Sequence, residues 1–92
     1  MATSREGAPK GRADVVFRQL DDEWVLFDPR SEQLHVLNLS AALVWTHCDG
    51  QIGADAIAEA VATAFEPRVP TAQARRDVDD ALERFRHAGL LE

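Results

Sequence analysis

The side chains that most often carry out chemistry are few in this sequence and poorly grouped. The three histidines, His35, His47 and His87, fall on three different predicted elements. His47 and Cys48 are adjacent, and adjacent residues of a helix point about 100° apart, so they are badly placed to bind one metal ion together. Asp49 follows Cys48, but no motif supplies the thiol with a base, which argues against a nucleophile. We therefore predict no metal, no cofactor and no covalent catalysis.

Acidic residues are concentrated near the C-terminus, where they alternate with arginines. On a helix the carboxylates of Asp77 and Asp79 diverge by about 200°, so they cannot act as a catalytic pair. Opposite charges interleaved in this way are typical of a solvated, salt-bridged helix face. The residues concerned are Arg75, Arg76, Asp77, Asp79, Asp80, Glu83, Arg84 and Arg86. We predict that the chain is not an enzyme.

The charge balance argues against partners that carry many negative charges. Ten Lys and Arg against sixteen Asp and Glu give a net charge of −6, and because the first twelve residues carry +2, the remaining eighty carry −8. A surface this acidic repels a phosphate backbone and an anionic membrane. There is no apolar run of about 18 residues, no apolar signal-peptide core, and only one cysteine. We expect a cytoplasmic protein that binds neither nucleic acid nor membrane.

The first half of the chain predicts strands. Residues 1–12 combine glycine, proline and scattered charge without periodicity, which is typical of a flexible tail, so we assign the domain to residues 13–92. Three runs rich in β-branched and aromatic residues follow, at 15–20, 23–27 and 33–37, and turn signals separate them. They predict a three-stranded antiparallel meander that needs a second layer over one face.

The second half predicts three helices, at about 39–49, 54–65 and 71–88. Asn38 or Ser40 can cap the first helix, and Thr71 caps the third. Apolar residues recur at helical spacing along the second and third helices. The fold class is therefore α+β, with three strands followed by three helices.

Strand 33–37 is predicted to lie at an edge of the sheet. It lacks the proline or lysine that would blunt an exposed edge. Either the C-terminal helix or a second copy of the chain covers this edge, or it accepts a strand from another chain. The pattern alone leaves both interpretations open.

One pattern extends across most of the chain. Its members are Leu37-Asn38, Ala41, Val44-Trp45, Asp49-Gly50, Ile57 and Gly89-Leu90-Leu91. This pattern resembles the PqqD-like family, the precursor-peptide recognition domains of ribosomally made, post-translationally modified peptides. The resemblance runs from about Ala13 to the C-terminus and implies a winged-helix-like architecture. Leu37-Asn38 differs from the segment that dedicated pyrroloquinoline quinone proteins tend to carry, which argues against that pathway and leaves the peptide product open.

The resemblance also implies a site. In the family, the leader segment of a precursor peptide adds as a fourth strand to the third strand and rests against the third helix. A modifying enzyme, often a radical S-adenosylmethionine enzyme, then acts on the tethered core. Two helix flanks remain alternatives: Asp77, Arg84 and Ala88, or Arg75, Asp79 and Arg86. The expected peptide-binding residues are Gln33, Leu34, His35, Val36, Leu37, Asp77, Val78, Ala81, Arg84 and Phe85.

The expected function is therefore that of a non-catalytic adaptor that holds a leader peptide for its modifying enzyme, without a cofactor. The alternative is a winged-helix DNA-binding transcriptional regulator, because three helices joined by short turns have the spacing of a helix-turn-helix. The charges argue against this alternative. Helix 54–65 has no basic residue, and helix 71–88 has as many acids as arginines.

Overall fold

The predicted order of strands and helices is confirmed by the computed structural model, which describes residues 8–65 and 67–92. The elements are β1 (Val16–Leu20), β2 (Glu23–Asp28), β3 (Gln33–Leu37), α1 (Leu39–Thr46), α2 (Ala54–Thr63) and α3 (Thr71–His87). This is the predicted α+β class, an open sheet backed by helices. Among the described residues, no helix has the length and apolar character needed to cross a membrane.

The strands form one antiparallel sheet in the order β1-β2-β3. Two residues, Asp21 and Asp22, connect β1 to β2. Asp21 has a φ of 54°, a left-handed conformation that aspartate tolerates better than most residues. A longer loop joins β2 to β3, where Asp28 lies opposite Gln33. Both connections coincide with the turn signals in the sequence.

The two faces of the sheet differ in what covers them. Residues opposite each other in the register share a face, so Leu26 and His35 lie on the same side. This inner face packs on the helices, and Leu26 and Leu37 are buried there. Leu34 and Val36 lie on the outer face and are exposed although they are apolar.

The helices begin and end close to the predicted positions. Asn38 caps α1, because its Oδ1 accepts a hydrogen bond from the N–H of Ala41 at 2.8 Å. The predicted Thr71 cap is wrong: Pro70 is the N-cap residue of α3, and Thr71 is already helical. Proline suits this position because its fixed φ fits a helix start and it leaves no N–H unpaired.

The core lies between the inner face of the sheet and the helices. The apolar stripes predicted for α2 and α3 are confirmed. Phe85 is fully buried and meets Trp45 edge to face, with ring centroids 5.4 Å apart. The buried residues of α2 and α3 are Ile57, Ala58, Val61, Ala62, Ala74, Val78, Ala81, Leu82 and Phe85.

Residues 9–12 are bonded to the domain, which corrects the predicted tail at these positions. The N–H of Gly11 donates to the carbonyl of Cys48 at 2.9 Å. A Cβ at Gly11 would come within 2.5 Å of the Trp45 indole, so glycine is needed for this close approach. Sequence reasoning missed the segment because its contacts are with distant elements and leave no periodicity. Residues 1–7 of the predicted tail lie outside the described residues.

Candidate functional site

The turn between β1 and β2 determines which backbone groups face each edge of the sheet. A two-residue hairpin turn closes on a hydrogen-bonded pair, which here is Leu20 and Glu23. Hydrogen-bonded and non-hydrogen-bonded pairs then alternate along the strands. Alternate residues of β2 from Glu23 onward therefore bond to β1, and the residues between them bond to β3.

On β3 this alternation leaves two residues free to pair outward. His35 and Leu37 lie opposite the β2 residues that bond to β3, so their backbone groups are used within the sheet. The N–H and C=O groups of Leu34 and Val36 point to the other side. Among the described residues, β3 pairs with β2 alone, and that other side is therefore an open edge.

A contact from α3 is consistent with this direction. Nη2 of Arg84 donates to the carbonyl oxygen of Val36 at 2.7 Å. The guanidinium makes no other hydrogen bond or ion pair within the described residues, although Asp80 lies one turn earlier on the same helix. Arg84 therefore bridges α3 and the open edge of β3.

A groove of about 260 Å³ lies between α3 and the segment that follows β3. Asp77 and Arg84 are two helical turns apart and therefore share one flank of α3. The lining residues are Asn38, Ser40, Ala41, Asp77, Asp80, Ala81 and Arg84. With two carboxylates against one guanidinium, the groove carries a net negative charge.

The structure separates the two predicted flanks of α3. Asp77 and Arg84 line the groove between α3 and the start of α1, whereas Ala88 does not. The other flank, with Arg75, Asp79 and Arg86, lines a separate pocket on the side of the N-terminal segment. Of the two flanks, the first reaches the open edge, through the side chain of Arg84.

Three of the expected peptide-binding residues belong to the core. Val78 and Phe85 have no exposed surface, and Leu37 is 3% exposed. The apolar stripe that suggested Val78 and Phe85 is the face of α3 that packs inward, so these residues support the groove from behind. The remaining expected residues lie on β3 or line the groove: Gln33, Leu34, His35, Val36, Asp77, Ala81 and Arg84.

His35 has an unusual environment on the inner face of β3. The residue is half-buried, and its Nε2 is buried without a hydrogen-bond partner among the described residues. Leaving such a nitrogen unpaired costs free energy. A residue that paired opposite His35 on the open edge would direct its side chain to the same face.

The thiol and the other histidines are used in local contacts. Burial raises the pKa of Cys48 to about 12, so the thiol is protonated at neutral pH, and its Sγ donates to Val44. His47 contacts the carbonyl of Leu43, four residues earlier in the chain. His87 contacts the carboxylate of Glu83, also four residues earlier. Within the described ranges, no three His, Cys, Asp or Glu side chains gather as a metal site would require.

Sequence reasoning missed part of the groove lining. Asn38 was expected only as a helix cap, Asp80 only as part of a solvated face, and Ser40 only as an alternative cap. The positions of Asn38 and Ser40 in the sequence carried a signal, because both come just after the edge strand β3 and therefore lie near the end of its open edge. Asp80 also lies one turn before Arg84, on the flank that lines the groove.

The comparisons with known proteins agree with this architecture. A family model described as "Coenzyme PQQ synthesis protein D (PqqD)" matches residues 23–91, which include β2, β3 and all three helices. A comparison with curated proteins finds no match.

Two solved structures share the fold. One, "TbiB1 in Complex with the TbiA(beta) Leader Peptide", has a TM-score of 0.73 and 24% sequence identity, over 90% of this chain and 94% of that chain. The other, "Lasso peptide synthetase B1 complexed with the leader peptide", has a TM-score of 0.75 and 22% identity, over 92% of this chain and 98% of that chain. At these identities the likeness establishes the fold.

Proposed function

Because the chain belongs to the PqqD family, we propose that it is a non-catalytic adaptor for a ribosomally made precursor peptide. It binds the leader segment of that peptide and presents the remainder to a modifying enzyme. The proposed complex forms in the cytoplasm. A radical S-adenosylmethionine enzyme is one class of enzyme that would fit this role.

The observation that carries the proposal is the open edge of β3. Leu34 and Val36 direct N–H and C=O groups away from β2, and an extended peptide can pair with them as a fourth strand. The groove beside α3 gives a second wall for the side chains of that strand. Backbone pairing supplies affinity, and the groove supplies selectivity.

The two structural relatives support the same interpretation. Both are complexes with leader peptides, and the present chain covers more than nine-tenths of each of them. A shared fold alone does not fix a ligand. The argument for this chain therefore depends on its own open edge and groove. The relatives show that proteins of the same fold bind leader peptides.

The adaptor would act by raising local concentration. A leader held on the domain keeps the core segment near the enzyme, so the second encounter is effectively intramolecular. No reacting group of the domain is required for this.

The charge distribution does not favour the DNA-binding alternative. On α3, Arg75 pairs with Asp55 and Asp79, and Arg86 lies 3.9 Å from Glu83. These arginines are therefore neutralised within the protein. The groove beside α3 is acidic, which would repel a phosphate backbone.

A titration tests the proposal. The probes are candidate precursor peptides chosen from short reading frames that adjoin the gene for this chain, each labelled and used at full length and as a leaderless core. We expect the full-length peptide to bind with a Kd near or below about 1 μM, which corresponds to about −8 kcal/mol, without metal or nucleotide. The core should bind at least about tenfold more weakly, a difference of about 1.4 kcal/mol. Equal affinities would reject leader recognition.

A further inference from the structure

The acceptor that an incoming strand would use on Val36 is already engaged. Nη2 of Arg84 lies 2.7 Å from the Val36 oxygen. Neighbouring strands run about 4.8 Å apart, so a guanidinium this close to the open edge overlaps the path of an added strand. An incoming N–H and Arg84 therefore compete for the same oxygen.

We propose that Arg84 is a displaceable latch on the peptide-binding edge, an inference that rests on the function proposed above. In this account, the hydrogen bond from Arg84 to Val36 closes the edge. A leader strand pairs fully with β3 only after the guanidinium has moved away. Arg84 is then a positioning residue that sets how often the edge is available.

The surroundings of Arg84 make its release easy. Its side chain has only the single bond to Val36 within the described residues. Asp80 is one turn earlier and Asp77 two turns earlier, and both line the same groove. A guanidinium that leaves Val36 can pair with Asp80 at the i, i+4 spacing that favours such pairs on a helix. The latch can therefore open without leaving a charge unpaired.

A latch has a kinetic signature that a direct ligand contact lacks. When only a fraction of the molecules have an open edge, the apparent Kd is increased by the inverse of that fraction. Removal of the guanidinium in Arg84→Ala should therefore lower the Kd for the precursor about three- to tenfold, the range expected for one displaced hydrogen bond. The change should appear in the association rate, with the dissociation rate nearly constant.

The matched control is Arg86→Ala. Arg86 is on the same helix, is also exposed, and faces away from β3, with Glu83 as its charged neighbour. The substitution removes the same charge, so it reproduces any change in long-range steering. Its association rate should differ from that of Arg84→Ala by at least about threefold. Equal thermal stability of both variants and the wild type shows that the fold is unchanged.

The outcomes separate the latch from the proposed function. If the wild type binds the precursor and Arg84→Ala binds with unchanged or lower affinity, the adaptor function holds and the latch is rejected. If only Arg84→Ala binds the precursor, the hydrogen bond from Arg84 keeps the wild-type edge closed in nearly all molecules, and the latch is supported. If Arg84→Ala and Arg86→Ala accelerate association equally, charge explains the change and the latch is rejected. If no variant binds, the proposed function fails and the latch fails with it.

Discussion

The Arg12 guanidinium connects the N-terminal segment to the sheet. Its Nη2 donates to Asp28 at 2.8 Å and its Nη1 to the carbonyl of Gly89 at 2.8 Å. Asp28 is the buried carboxylate at the end of β2, and its Oδ1 also accepts from the N–H of Arg30. The hydrogen bond from Arg12, followed by the backbone bond, holds the pKa of Asp28 well below its ordinary range. This pair therefore links three distant parts of the chain.

The lowered pKa predicts acid sensitivity. The unfolded Asp28 carboxyl takes up a proton near its ordinary pKa of about 3.9, whereas the folded one resists protonation. The stabilisation is therefore present above that pH and is lost as the pH falls toward the lowered pKa. We expect the Tm of the wild type to fall more between pH 7 and about pH 3 than the Tm of Asp28→Asn, measured by circular dichroism.

The exposed turn residue Asp22 provides the control for that comparison. Asp22→Asn should follow the wild-type pH profile because Asp22 is exposed and is not part of the Arg12–Asp28 pair. Parallel profiles for the wild type and Asp28→Asn would contradict the role of the ion pair.

Residue-scale features differ in how far the sequence predicts them. Asn38 acts locally, through a hydrogen bond three residues along the chain, and its cap was among the predicted alternatives. The Arg12–Asp28 pair spans sixteen residues and depends on how the strands fold back. A local sequence pattern predicts the first kind of interaction, but it does not predict the second.

At the scale of elements, the property of β3 that matters for binding is its parity, that is, which alternate residues direct their N–H and C=O groups to the open edge. Three strands and their order follow from the sequence. Parity depends on the exact register, because a shift of one residue reverses which groups face outward. The two-residue turn Asp21-Asp22 determines which residues of β2 bond to β1. The outward-facing residues of β3 follow from this only when the second register, with Asp28 opposite Gln33, is also known.

Single prolines on β3 test this parity. Proline removes one N–H and fixes φ. At Leu34 or Val36 the lost N–H faces the open edge, so the domain should fold with nearly unchanged Tm and bind the precursor at least about tenfold more weakly. At His35 or Leu37 the lost N–H bonds to β2, so the Tm should fall sharply. Melting curves and titrations with the four variants measure both effects.

Side-chain loss must be separated from the loss of the N–H. Alanine at each of the four positions provides that control, since it removes the same side chain and keeps the donor. Four equally destabilised proline variants would contradict the parity, and full binding by Leu34→Pro and Val36→Pro would move the site away from this edge.

At the scale of the whole molecule, the helices act as a support for one strand edge. The apolar stripe of α3 is buried in the core, while one flank of the same helix lines the groove. Helical periodicity predicted the stripe because burial is regular along the helix. It left two flanks open. The packing of α3 against the rest of the domain places Asp77 and Arg84, and not Arg75 and Asp79, in the groove with the start of α1, where Arg84 reaches Val36 of β3.

The central claim is that a leader peptide pairs with β3 at its open edge, and amide hydrogen exchange tests it most directly. The amides of His35 and Leu37 bond to β2 and should be protected in the free domain, whereas those of Leu34 and Val36 should exchange quickly. Saturation with the full-length precursor should slow exchange at Leu34 and Val36 by at least about tenfold. Unchanged exchange at both amides, with new protection elsewhere on the domain, would contradict strand addition at β3.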